Sequence, residues 1–161
     1  MPRGRRKSVK AKLEAKRPLV SQAPYDVDLS ASAEAVYVDL YTRAKAAEAK
    51  GDHTNAVCTT FRMVEEAIER IIPRDPHNKK HALRDNLSNI FRLQKGRLRI
   101  CWIASSQMRR VCILFISETL RKEGDANDPY WLFEKMLMSG ELDKYFQQMG
   151  VKKSTPTRLI Q

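Results

Sequence analysis

LSNIFRLQKGRLRICWIASSQMRRVCILFISETLRKEGDANDPY, residues 87–130, is where the chain changes its hydrophobic period. Leu87, Asn89, Phe91 and Leu93 share one face, and Leu98, Ile100 and Trp102 continue it beyond Lys95-Gly96. A period of two over this length is the signature of strands, and the glycine between the two runs predicts a two-residue hairpin turn. With Lys95-Gly96 as that turn, Gln94 pairs with Arg97, Leu93 with Leu98 and Arg92 with Arg99. One face is then core, and the other, with Ser88, Arg92, Arg97 and Arg99, is basic. Like charges directly opposite on adjacent strands weaken a sheet. An Arg92–Arg99 pair therefore predicts a negatively charged ligand, a phosphate before any other.

The rest of the segment extends the sheet. After a turn around Ser105-Ser106-Gln107, Val111 to Ile116 is continuously apolar, the pattern of a central strand covered on both faces. Ser117 to Asn127 then reads as a loop carrying Arg121 and Lys122. Asp128 is placed to cap a helix with Pro129 at its first position, Phe133, Met136 and Leu137 inward, and Gly140 as its stop.

Upstream the period is 3.6. From Ser32 as N-cap, Ala33, Val36, Tyr37, Leu40, Tyr41 and Ala44 fall at helical spacing, and Gly51-Asp52 ends a helix over about 33–50. A second helix starts near residues 52–55, puts Val57, Phe61, Val64, Ile68 and Ile71 on one face, and is expected to end before Pro73. The short break makes an antiparallel helical hairpin, and residues 73–86 form a polar linker. The fold class expected is α+β: a helical hairpin packed on a small antiparallel sheet, followed by a C-terminal helix. Residues 1–29 read as a flexible basic arm, 30–149 as one domain and 150–161 as a tail.

The net charge of +11 is uneven. Residues 1–24 carry eight Lys/Arg against one acid, and residues 25–78 six against ten. Residues 79–122 carry eleven against two, so the sheet is the basic part of the folded domain. A basic patch confined to one element points to a polyanion such as nucleic acid or the ribosome, beside the plainer reading of a solvated charged face. Cys58, Cys101 and Cys112 are odd in number, scattered and in apolar surroundings. They read as reduced core residues of a cytoplasmic protein. No apolar run approaches the roughly 18 residues of a membrane span, so no membrane partner is expected. The N-terminus lacks the apolar region of a secretory signal, although an Arg-rich, acid-poor start also suits an organelle transit peptide. Signatures for glycine-rich phosphate loops, serine hydrolases and zinc hydrolases are absent, and neither cofactor nor metal is expected.

The run IFRLQKGRLRICWIASSQMRRVCILFISETLRKEGDANDPYWLFEKML resembles the RelE superfamily of bacterial toxins, and its YhaV branch above all. The distinctive part is the ending: Thr119-Leu120-Arg121, Gly124, a tyrosine, an aromatic at Phe133 and Lys135-Met136-Leu137. The resemblance covers about residues 30–147 and implies a RelE-like fold. It also implies the toxin of a type II toxin–antitoxin system, an endoribonuclease that cleaves mRNA, acts on the ribosome, and inhibits translation and growth. Its antitoxin would be of the swapped-hairpin, PrlF-like type, with operator DNA bound only through the toxin–antitoxin complex.

RNA cleavage without a metal needs a base for the 2′-hydroxyl, cations for the phosphoryl oxygens and an acid for the leaving oxygen. His53, His77 and His81 all fall away from the basic face, which argues against a two-histidine ribonuclease. The resemblance instead points to a basic cluster with an aromatic hydroxyl: Arg92, Arg99, Arg121 and Tyr130. Arg99 and Arg121 are expected to hold phosphate oxygens, and Tyr130 to stack on a base or act as acid or base. Lys95, Arg97 and Lys122 are expected to position RNA. An arginine with pKa above about 12 is a poor general base, which leaves that role unassigned. Two alternatives stand beside this reading: a noncatalytic nucleic-acid-binding protein, and a toxin that inhibits a protein target such as DNA gyrase.

Overall fold

A computed structural model describes residues 23–84, 87–118 and 128–153. Strands β1 (Asp26–Leu29), β2 (Phe91–Lys95), β3 (Leu98–Ser105) and β4 (Arg110–Ser117) form one sheet in the order β1-β4-β3-β2. Helices α1 (Ala31–Ala49) and α2 (Ala56–Glu66) pack as the predicted hairpin on one face. Helices α3 (Pro129–Ser139) and α4 (Asp143–Met149) cover the other. The α+β expectation holds, with two additions. Strand β1 lies parallel to β4, so the sheet is mixed, and α4 follows the single C-terminal helix expected.

The expected arm therefore ends too late. Asp26-Val27-Asp28-Leu29 alternates with the period of a strand and belongs to the domain, with Val27 and Leu29 packed on the helical-hairpin core. Residues 1–22 and 154–161, most of the expected arm and tail, lie outside the described residues. Helix α2 also runs past its expected stop. A π-helical turn at Ala67–Ile71, where the Ile72 N–H reaches back to the Ala67 carbonyl, leads into Ile72–Arg74 with Pro73 inside it. The wider turn accommodates a ring that would clash in a regular α-helix.

The hairpin register differs from expectation by two residues. Lys95 pairs with Leu98, Gln94 with Arg99, Leu93 with Ile100 and Arg92 with Cys101. The turn is Gly96-Arg97, with Gly96 at φ 59°, a conformation a residue without Cβ takes at no steric cost. A two-residue slip preserves which face each side chain occupies, so the apolar set Phe91, Leu93, Leu98, Ile100 and Trp102 still faces the helical hairpin. Arg92 and Arg99 share the other face as diagonal neighbours, not as the directly opposed pair expected. That face is basic only toward the hairpin; farther along, Cys101, Ile103, Cys112, Leu114 and Phe115 form a second core with Phe133, Leu137, Leu142 and Phe146.

A β-bulge joins the two cores. Cys101 pairs with Phe115 but Trp102 pairs with Ile113, which leaves Leu114 with no residue opposite it on β3. The extra residue turns the end of β4 over, so that Phe115 packs at 5.2 Å from the Phe133 ring and Ser117 faces Arg99. Ser30 secures this point. Its Oγ donates to the Leu114 carbonyl at 2.9 Å and accepts from the Ala33 N–H at 3.2 Å. Ser30, not the expected Ser32, is thus the N-cap of α1, because the chain is still extended at Ser30 as it leaves β1.

Ser30→Ala removes a helix cap and leaves a buried carbonyl without its donor. A loss of about 2–3 kcal/mol in unfolding free energy is expected by urea denaturation. Ser32→Ala, whose hydroxyl lies 3.5 Å from the same carbonyl, is expected to cost well under half of that. Equal losses would refute the assignment of the cap.

Candidate active site

The hairpin end of the sheet and the first turn of α3 bring three of the expected residues together. Asp128 caps α3 by accepting the Tyr130 N–H at 2.9 Å, and Pro129 occupies the first helical position. Phe133 and Leu137 anchor the same helix in the second core, and Tyr130 is thereby set down on the basic face. Arg92 Nη1 donates to the Tyr130 hydroxyl at 2.7 Å, and that hydroxyl donates to Gln94 Oε1 at 3.3 Å. The guanidinium carbons of Arg92 and Arg99 lie 5.1 and 5.9 Å from the centroid of the Tyr130 ring. Each cation meets the electron-rich face of the ring, which offsets part of the repulsion between them.

Arg99 is the unusual member. It is 6% exposed, far less than a lone cation normally is. Its Nη1 donates to the carbonyls of Gly96 at 2.5 Å and Leu98 at 3.0 Å, which pins the guanidinium against the turn. Its Nε–H is buried with no hydrogen-bond partner among the described residues. A buried N–H without an acceptor costs about 1–3 kcal/mol, so the position is held against its own stability. Cys101, opposite Arg92 on β3, gives no compensating charge. Burial pushes its thiol up to about 12, outweighing the opposite pull of Arg92 and Arg99, and it stays neutral. The arrangement can fix an anion: Arg99 is preorganised, Arg92 is half-exposed, and a phenolic hydroxyl joins them.

The other expected residues fare differently. Lys95 and Arg97 are exposed at the hairpin tip, but strand alternation puts Lys95 on the face of Phe91 and Leu93, away from Arg92. Arg121 and Lys122 lie outside the described residues. Tyr130 is 4% exposed beneath the guanidinium groups, so its ring face is closed to a ligand. The expected stacking of a base on this ring does not fit that burial. Sequence reasoning missed Gln94 and Ser117, the two neighbours of Arg99 across the strands. A turn placed at Gly96-Arg97 reveals Gln94; Ser117 depends on the bulge.

His77 and His81 sit on the opposite face, as expected. His77 meets Tyr25 and Phe91 edge-on, and His81 lies edge-on to Trp102. Burial is the main influence lowering the His81 pKa, with the Lys80 charge adding to it. Both histidines serve packing. Among the described residues no three His, Cys, Asp or Glu side chains gather as metal ligands, and no helix is long and apolar enough to cross a membrane.

The model of a family described as a toxin with endonuclease activity, of toxin–antitoxin systems, matches residues 29–153; the family is that of the YhaV toxins. No curated protein matches the chain. Among solved structures, it is similar to the RelBE2 toxin–antitoxin complex from Mycobacterium tuberculosis, at 20% identity and a TM-score of 0.43 over 59% of this chain and 98% of that one.

Arg99→Met keeps the aliphatic stem while removing the buried charge and its unpartnered N–H. The variant is expected to unfold at higher urea than the wild type, by about 1 kcal/mol, and to lose affinity for inorganic phosphate and single-stranded RNA. A large destabilisation would show that Arg99 is structural.

Proposed function

The chain belongs to the YhaV family of toxins, which have endonuclease activity and act within toxin–antitoxin systems, and on that premise we propose that it is a metal-independent endoribonuclease cleaving mRNA at the Arg92–Arg99–Tyr130 cluster. The observation that carries this reading is the half-exposed Arg92 guanidinium bonded to the Tyr130 hydroxyl, with the buried guanidinium of Arg99 over the same ring. An RNA phosphodiester brings what the cluster lacks, oxygens that accept several charge-assisted hydrogen bonds at once.

In the proposed reaction the ribose 2′-oxygen attacks the adjacent phosphorus and the bond to the 5′-oxygen breaks. The products are a 2′,3′-cyclic phosphate and a 5′-hydroxyl end. A second negative charge develops on the non-bridging oxygens, and Arg92, with Arg99 at its side, stabilises it. The Tyr130 hydroxyl, turned from Gln94 toward the substrate, supplies a proton to the leaving 5′-oxygen and recovers one from solvent, while water accepts the proton released from the 2′-hydroxyl. Arg121 is proposed as a further phosphate ligand, and Lys95, Arg97 and Lys122 as contacts to the flanking backbone. The finer biology follows the family: cytoplasmic action on ribosome-bound mRNA, growth arrest, and neutralisation by a cognate antitoxin of swapped-hairpin, PrlF-like type. An acidic segment laid over the hairpin would inhibit by occupying the same cations. Operator DNA would be reached only through the complex with that antitoxin.

End-labelled single-stranded RNA incubated with the purified chain in EDTA is expected to give discrete fragments with 5′-hydroxyl ends. Arg99→Ala is expected to lower kcat/KM by about 10²–10³, the effect of removing one preorganised oxyanion donor. Tyr130→Phe, which removes only an oxygen, is expected to lower kcat more than it raises KM. RNA left intact by a folded wild type both free and on translating ribosomes, or fragments from free RNA that vanish in EDTA, would reject the proposal. Graded loss of RNA affinity without cut products would instead identify a binding protein.

A further inference from the structure

Trp131 follows Tyr130 in the first turn of α3 and points a different way. It is 37% exposed, although an indole on a helix that buries Phe133 and Leu137 is expected to join the core. Lys135 lies one turn on, with its Nζ 5.2 Å from the centroid of the indole, and Met138, 64% exposed, continues the same stripe. An exposed indole with an ammonium over its ring is a combination that can hold an unpaired nucleobase, the base stacking on the ring as the flexible lysine moves to the sugar–phosphate backbone. Consecutive Cα atoms are 3.8 Å apart. The indole and the hydroxyl assigned to the scissile phosphate therefore leave the helix from adjacent points of its first turn.

We infer that Trp131 is the stacking platform for a nucleobase flanking the scissile phosphate, with Lys135 contacting the adjoining phosphate, and that this pair sets where along a strand the enzyme cuts. The inference rests on the endoribonuclease reading for the word "scissile", but the stacking itself does not require cleavage. Two features favour an RNA strand as the occupant. Trp131 adjoins Tyr130 in the first turn of α3, and its polar neighbour Lys135 is a cation, as a polyanion demands. Tyr130 cannot serve as the platform, because its ring is buried under guanidinium groups. The exposed aromatic one residue later can.

The chain has two tryptophans, and Trp102 is fully buried with its ring stacked on Phe91 at 5.9 Å. Emission that changes on ligand binding therefore reports on Trp131. Titration of the full chain with a 2′-O-methyl single-stranded RNA, which cannot be cleaved by 2′-oxygen attack, is expected to quench that emission. Inorganic polyphosphate, which has charge but no bases, is expected to leave it nearly unchanged. Trp131→Ala is expected to weaken binding of the same RNA about 5- to 150-fold, the range supplied by one stacked base, and to redistribute the cleavage positions. Trp131→Phe should retain most of the affinity, and Trp131→Leu, apolar but without a π-face, should not. Equal quenching by polyphosphate, or a folded Trp131→Ala that binds and cuts as the wild type does, overturns the inference. In the latter case the stripe becomes a surface for a protein partner. A wild type that is quenched by the 2′-O-methyl RNA but never cuts the unmodified strand of the same sequence supports the stacking and rejects the endoribonuclease reading instead.

Discussion

One serine hydroxyl holds three parts of the fold together. Ser30 Oγ donates to the carbonyl of Leu114 and accepts the N–H of Ala33, so that the end of β1, the start of α1 and the bulge of β4 meet at one buried atom. A hydroxyl has one proton to give and two lone pairs, enough for both tasks. The bulge needs this. A residue with no partner across the ladder leaves its carbonyl to be satisfied elsewhere, and a buried carbonyl without a donor is costly. With the bulge in place, Phe115 turns to meet Phe133 and fixes α3 on the sheet. Tyr130 is carried by that helix, and Ser117 comes to face Arg99 through the same irregularity. The site is thus registered to the N-terminal strand, far away in the chain.

Around the site the usual agreement between local preference and global stability gives way. The rest of the sheet buries matched apolar sets on both faces, whereas the hairpin end places two guanidinium groups near one ring and leaves a buried N–H without an acceptor. Cation–π contacts reduce the repulsion, but no carboxylate hydrogen-bonds Arg99 among the contacts described for it. Under the proposed function, a phosphate bound beside Arg92 would offset the repulsion between the two guanidinium groups.

Charge on the larger scale works in the same direction. The segment holding β1, α1 and α2 is acidic on balance, with ten acids against six Lys/Arg over residues 25–78, while residues 79–122 carry the excess of base. A polyanion approaching the chain would be repelled by the first segment and drawn toward the second, which supplies β2, β3 and β4. Salt screens such guidance beyond about 8 Å at physiological strength, which leaves the last approach to the guanidinium groups themselves.

The helical hairpin, the three antiparallel strands, the central place of β4 and the capped start of α3 were legible because each rests on short-range rules. These are a 3.6 or 2.0 period, a glycine at a turn, and Asp128-Pro129 at a helix entrance. The face shared by Arg92 and Arg99 was legible for the same reason, and it survived a turn misplaced by one residue because a two-residue slip keeps parity. Strand β1 and helix α4 were readable in principle, from Asp26-Val27-Asp28-Leu29 and from Leu142, Phe146 and Met149, but short elements give weak periodic signals. Tertiary structure alone decided the bulge at Leu114, the choice of Ser30 over Ser32 as cap, the burial of Arg99 and the partnership of Tyr130 with Arg92 and Gln94. Each depends on groups distant in the chain competing for one buried acceptor or one patch of sheet, and no local pattern encodes the outcome of that competition.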